Sequence, residues 1–445
     1  MRQDFRLRDN PAMYEARNDQ VIPIYIKDEN LGAVSKWWAE RAIDQLPFKV
    51  YKYQGEPAQI IKELVKANKV DRVLWNRCYE PDNIAHERQI STMLDSAGVT
   101  HKSFNSSLLW EPWTVLKEDK TYYKVFTPFY RKGCLSKEEP RAPLPEVRPN
   151  FIASELPENY ENGPKYRWHN KLDWDTTENG AQAKLKQFLE VGIYNYKEAR
   201  NFPSQPNTSV LSPYLHFGHI SPNQVWHAIR ASDADEKDKE HFLSELGWRE
   251  FSYYLLYHFP ELPEKNFQPK FDLFPWKQDP DKFENWKRGR TGVPIVDAGM
   301  RQLWSTGYIH NRTRMIVASF LVKNLLIHWH AGRDWFWDCL ADADLANNSA
   351  SWQWVAGSGA DAAPYFRIFN PILQAEKFDP EGEYIRKFVP EIAALPTKYI
   401  FAPWEAPEEV LYKADVKLGE NYPRPIVDLN QTRDEALKAY MQLKG

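Results

Sequence analysis

Over roughly the first 128 residues, short apolar runs alternate with amphipathic ones. Val21–Lys27, Lys49–Tyr53 and Arg72–Asn76 read as buried strands. Pro57–Asn68 sets Ile60, Ile61, Leu64 and Val65 at helical spacing, and Asn83–Ala97 follows the same period. Strand alternating with helix predicts a Rossmann-like parallel α/β sheet with ligands at the strand carboxyl ends. No GxGxxG occurs, so a standard dinucleotide site is not expected there.

Between Tyr130 and Leu172 the periodicity dissolves. Pro140, Pro143, Pro145, Pro149, Pro157 and Pro164 punctuate a charged stretch, which reads as a long inter-domain connection. From Ala181 the helical period dominates, over 181–192, 222–232, 238–258, 293–306, 311–328 and 431–443. The expected organisation is an α/β domain over 1–128, a linker over 129–180 and an all-α domain over 181–445.

Length adds that 445 residues exceed one ordinary core. No signal peptide and no apolar run long enough for a bilayer is visible, which predicts a soluble, cytoplasmic protein. Cys78, Cys134 and Cys339 are too few and too scattered for a disulfide framework or a cysteine zinc site. With a formal charge of −3, nucleic-acid binding would require a local basic patch. The 18 Trp, 23 Tyr and 23 Phe are a heavy aromatic load, read first as core and then as stacking or electron-carrying groups.

Chemistry concentrates in DADLANNSASWQWVAGSGADAAPYFR, Asp342 to Arg367. Asp342 and Asp344 have the spacing of a calcium loop, but Asn347 and Gln353 stand where it needs Gly and Glu, so no metal site is expected. A polar turn capping helices and a cleft for the polar edge of a flat cofactor both remain open. Trp352 and Trp354 share a face only if extended; in a helix they diverge by about 200°.

Three further groups stand out. In YKEARNFPSQPNTSVLSPYL, Thr208, Ser209 and Ser212 precede Pro213, which suits either a phosphate cradle or ordinary capping. In SELGWREF, Glu245, Trp248 and Arg249 lie on one helix face, able to grip a flat ligand or to form a surface ion pair on a core ring. In YIHNRTRMIVASFL, Asn311, Arg314 and Met315 share a face and Arg312 points elsewhere. His310 is given no role.

Together these groups resemble the photolyase/cryptochrome family. RQDFRLRDNPAM, TSVLSPYLHFGHIS, ELGWREF, TGVPIVDAGMRQL, HNRTRMIVASFLVKNLL and WQWVAGSGADAAPYFRIFNP follow in the family's order across nearly the whole chain. The resemblance implies an α/β domain, a long connection and a helical domain holding FAD in a U-shape. It places Tyr196, Thr208, Ser209, Val210, Leu211 and Ser212 at the FAD phosphates. Around the rest of the cofactor it sets Glu245, Arg249, Asn311, Arg314, Asp342, Asp344 and Asn348. Asn348 would face the flavin ring nitrogen whose protonation differs between redox forms, and Arg314 would pair with Asp342 beside the isoalloxazine.

The same resemblance implies light-dependent repair of cyclobutane pyrimidine dimers by electron transfer from excited reduced FAD to a flipped-out dimer. Six-four enzymes carry histidines where Asn311 and Met315 stand. Glu245, Trp248, Asn311, Met315 and Trp354 would form the substrate pocket, and Trp276, Trp329 and Trp352 the electron-carrying chain. Arg200, Arg312 and Arg367 would contact the backbone of ultraviolet-damaged DNA, bound by a monomer. The alternative is a blue-light photoreceptor without repair activity.

SLLWEPWTV (Ser107 to Val115) resembles the family's antenna segment. Trp110, Glu111 and Trp113 are thus candidates for a second chromophore of folate or deazaflavin type. The family's first strand normally precedes the RQDFRLRDNPAM signature, whereas Met1 stands directly before it here. Either the start is assigned late or the sheet has one strand fewer.

Overall fold

A computed structural model describes residues 1–161, 171–365 and 367–443. The chain forms two compact units. The first comprises Met1–Tyr194, Ser209–Pro260 and Asp344–Ala346; the second comprises Asn195–Thr208, Glu261–Ala343 and Asn347–Gly445.

Among the described residues of the first unit, short strands pair in parallel: β1 (Gln20–Val21) with β6 (Asn150–Phe151), β2 (Ile24–Ile26) with β3 (Tyr51–Tyr53), and β4 (Arg72–Asn76) with β5 (Thr100–Phe104). The expected strand over Val21–Lys27 is broken at Pro23, which has no N–H to donate to a ladder. Residues 150–151, inside the proline-rich stretch read as a connection, supply the strand beside β1. Pro164 of that stretch lies outside the described residues.

Helices α1 (Ala33–Asp44), α2 (Pro57–Asn68) and α3 (Pro81–Ser96) connect the strands. α2 begins where Glu56 accepts the Ala58 and Gln59 N–H groups ahead of Pro57, and it ends at Lys69 in the left-handed conformation. It buries Ile60, Ile61 and Leu64, as the periodicity requires. Further along, this unit contains α4 (Glu178–Gln187), α5 (Pro222–Arg230) and the 23-residue α6 (Glu236–His258).

The second unit is helical, with α7 (Pro280–Lys287), α8 (Pro294–Thr306), α9 (Asn311–Ser319), α10 (Trp329–Cys339), α11 (Leu345–Ala356, from Asn347 onward) and α12 (Leu429–Gln442). The helix expected over 311–328 is shorter. After Ser319 it widens into a π turn, Phe320–Asn324, and Leu326 adopts a positive φ of 54° that no regular helix continues through. Among the described residues, no helix is long and apolar enough to cross a membrane.

Candidate functional site

Within the first unit, α6 carries Glu245, Trp248 and Arg249, all half-buried. Trp248 is stacked on Phe126, with ring centroids 3.8 Å apart and planes 11° from parallel. Arg249 donates to the Ser107 carbonyl at 2.6 Å, and its guanidinium lies 4.9 Å from the Tyr253 ring centre. Its Nη2 is buried without a hydrogen-bond partner. Tyr253, one turn further, donates its hydroxyl to Asp344. Burial alone would raise the Asp344 carboxyl, but the His216 imidazole facing it, the charge of Arg249 and the Tyr253 hydroxyl hold it down at about 2, so it is an anion.

The hydroxyl motif in this unit runs from Ser209 to Ser212. Val210 is held at φ 53°, a conformation a β-branched residue rarely adopts, and the Leu211 N–H reaches Ser209 Oγ at 3.4 Å. Ser212 then opens a single helical turn, Ser212–His216.

No sequence pattern marks Glu250, the next residue on α6. Its carboxylate accepts from the Leu109 and Trp110 N–H groups at 2.9 and 3.1 Å, with the Arg249 guanidinium 3.6 Å away. Burial pushes its pKa up to about 7, against the pull of Arg249 and the two N–H groups. The segment it grips is the expected antenna segment. Trp110 is core there, packed edge-on against Trp226 at 5.4 Å. Glu111 accepts from the Tyr79 hydroxyl at 2.9 Å. Trp113 is 39 % exposed and, with Arg77, Tyr79 and Tyr257, lines a concavity of about 510 Å³.

In the second unit, the Arg314 Nη2 donates to both oxygens of Asp342, at 3.0 and 2.7 Å, and its Nε donates to the Ile309 carbonyl at 2.8 Å. Burial works against the guanidinium charge, but Asp342 more than restores it and raises the pKa. Asn348 donates its amide nitrogen to the Arg333 carbonyl at 3.0 Å, leaving its oxygen as the acceptor for an external N–H. Thr208 hydrogen-bonds the half-buried Tyr308. The Tyr196 ring is buried under Arg200, whose guanidinium is 5.3 Å from its centre.

On α9, Asn311 is exposed at the first position and Met315 lies one turn on. Arg312 does not point elsewhere as expected. Its Nη1 is 3.8 Å from the Met315 sulfur, Nη2 donates to Asn201, and the guanidinium sits 4.3 Å over Phe378. Burial and then the nearby Arg200 lower its pKa, so two cations crowd one region, a setting that suits an anion. Arg367 is exposed, and its carbonyl accepts from Lys323 at 3.0 Å.

The helical α11 answers the question left open for the two tryptophans: they diverge, Trp352 being 2 % exposed and Trp354 half-buried. Gly332 on α10 lies directly under Trp352, and a Cβ there would overlap the indole. Trp329, at the start of α10, donates its indole N–H to Asn266 at 2.9 Å. His328 bridges the rings, 5.7 Å from Trp329 and 5.0 Å from Trp276.

These residues fit FAD unit by unit. The first offers a buried anion, a cation with an unused N–H and an irregular hydroxyl loop; the second offers an oriented amide acceptor and a half-buried ion pair for a flat polar ring.

A family model of DNA photolyase matches residues 1–149, and a model of the FAD binding domain of DNA photolyase matches 242–442. The deoxyribodipyrimidine photo-lyase of Agrobacterium fabrum is 45% identical, over 100% of this chain and 97% of that protein. Cryptochrome-2 of Arabidopsis thaliana is 36% identical over 98% of this chain and 77% of its own length. Among solved structures, a bacterial class III photolyase from Agrobacterium tumefaciens superposes with a TM-score of 0.95 at 44% identity, covering 100% of this chain and 96% of that one. The chain belongs to the DNA photolyase family.

Proposed function

We propose that the protein is a light-dependent DNA repair enzyme that splits cyclobutane pyrimidine dimers. When bound, reduced FAD supplies on blue-light excitation the electron that opens the cyclobutane ring, and it takes that electron back afterwards. The observation that carries the substrate assignment is the start of α9, where Asn311 and Met315 stand one turn apart in place of the histidines of six-four enzymes. The 45% identity to a deoxyribodipyrimidine photo-lyase, against 36% to a cryptochrome, favours repair over signalling alone.

Tyr196, Thr208, Ser209, Val210, Leu211 and Ser212 hold the cofactor phosphates. Arg249, Arg314, Asp342, Asp344 and Asn348 hold its remaining polar groups. A dimer leaves the duplex at a cost of a few kcal/mol, lowered by the weakened pairing of damaged bases. Trp248 and Trp354 stack on it, Met315 fills the space between, and Glu245 and Asn311 hydrogen-bond its base edges. Glu245 stabilises charge that develops on the substrate. Arg200, Arg312 and Arg367 hold the DNA backbone. Trp276, Trp329 and Trp352 form the route by which electrons cross the helical unit.

Residues 1–128 act as the antenna domain and 181–445 as the catalytic domain, joined by 129–180. The concavity beside Trp113 takes a flat antenna chromophore of folate or deazaflavin type. The protein works as a cytoplasmic monomer.

The test incubates reduced protein with ultraviolet-damaged thymine oligonucleotide in blue light and in darkness. Light-only recovery of absorbance at the thymine band is expected. Intact flavin photochemistry without recovery would instead identify a photoreceptor.

A further inference from the structure

His216 has no part in the assignments above, yet it is 4 % exposed and neither ring nitrogen has a hydrogen-bond partner. A buried polar group left unpaired costs about 1–3 kcal/mol, so such a ring calls for an explanation. No local pattern marks it: it follows the hydroxyl motif inside an apolar stretch, between Leu215 and Phe217.

Its surroundings are specific. Nδ1 lies 3.6 Å from an Asp344 oxygen, just beyond hydrogen-bond reach. The same carboxylate accepts from the Tyr253 hydroxyl and stands in the field of Arg249. Phe217 packs edge-on against the imidazole, with centroids 4.5 Å apart. A carboxylate facing Nδ1 fixes the proton on that nitrogen, and Nε2 is then the acceptor.

An acceptor next to a buried anion is a poor partner for a phosphate, since both would repel its negative charge. It is a good partner for an uncharged O–H. We propose that His216 is a cofactor-holding residue whose Nε2 accepts a hydrogen bond from a hydroxyl of the ribityl chain or ribose of FAD, with Asp344 fixing the tautomer. The inference rests on the reading that this chain holds FAD, and it assigns to one further side chain the recognition of the sugar-alcohol part rather than the phosphates or the ring.

The test measures the FAD dissociation constant of flavin-depleted full-length protein by recovery of flavin fluorescence, for the wild type, His216→Gln and His216→Phe. The same series is repeated with FAD analogues each lacking a single ribityl or ribose hydroxyl. Phe should weaken FAD binding about tenfold, the equivalent of one hydrogen bond of ~1.4 kcal/mol. Gln, which offers an amide oxygen in similar reach, should stay within about threefold of the wild type.

With one of the analogues the wild type should lose the same tenfold, and the Phe variant should lose nothing further. A merely structural histidine would not produce that selective loss. An unchanged dissociation constant for His216→Phe, or a penalty equal across every analogue, overturns the proposal. If the Phe variant does not fold, His216→Met is read by the same two criteria. A wild type that fails to bind FAD would sink the underlying reading, an outcome visible before any variant is compared.

Discussion

Glu250→Gln isolates the behaviour of one buried carboxyl. Glu250 is 2 % exposed, and burial carries its pKa from 4.5 to about 7. A carboxyl that binds its proton more tightly in the folded chain lends stability that is complete below about 4.5 and is lost as pH rises through about 7. The full span is about 3 kcal/mol, most of it falling between pH 5 and 8. Glutamine retains an oxygen for the Leu109 and Trp110 N–H groups but cannot ionise. Urea denaturation followed by tryptophan fluorescence at pH 5, 6, 7 and 8 should therefore show the stability difference between variant and wild type growing by roughly 2–3 kcal/mol in the variant's favour. Asp297 and Asp379, also raised to about 6, titrate in both proteins and cancel in the comparison. A difference that stays constant across the series refutes the reasoning, because Glu250 would then ionise at an ordinary pKa.

Glu245→Ala should slow dimer repair about tenfold or more, the loss of one charge-assisted hydrogen bond, while leaving flavin content unchanged in an absorbance spectrum. Asp342→Ala strands the Arg314 guanidinium, and at a cost of about 3–5 kcal/mol should give protein purified with little flavin and a lowered melting temperature. Trp329→Phe should slow photoreduction of oxidised flavin in a flash-absorption experiment yet spare repair by chemically reduced protein. Gly332→Ala drives a methyl into Trp352 and should destabilise by about 1–3 kcal/mol while also impairing photoreduction.

Where local rules suffice, the sequence was readable. Pro57 and the apolar positions of α2 mark that helix from end to end, because capping and periodicity act within a few residues. Asp342 and Arg314 were paired through the resemblance, and the bidentate contact is present. What stayed hidden depends on groups far apart in the chain. Tyr253 meets Asp344 across 91 residues, and Glu250 meets Leu109 across 141. Nothing in the WREF segment signals that its glutamate turns inward to backbone N–H groups. Trp352 and Trp354 were undecided because their spacing alone fits helix or strand; α11 settles it, and Gly332 shows why only one of the two indoles is buried. The broken strand at Pro23 and the π turn after Ser319 show apolar runs overrunning the backbone that must carry them.

Val210 bears on how the protein is loaded. A valine at φ 53° costs of order 1–3 kcal/mol, yet the fold sustains it beside the fully buried Leu211 and Tyr214. The mould proposed above for the phosphates is thus cast by folding itself, before any dinucleotide arrives. Glycine at 210 would relieve the cost and let the loop wander, giving a sturdier empty protein that captures its chromophore more slowly.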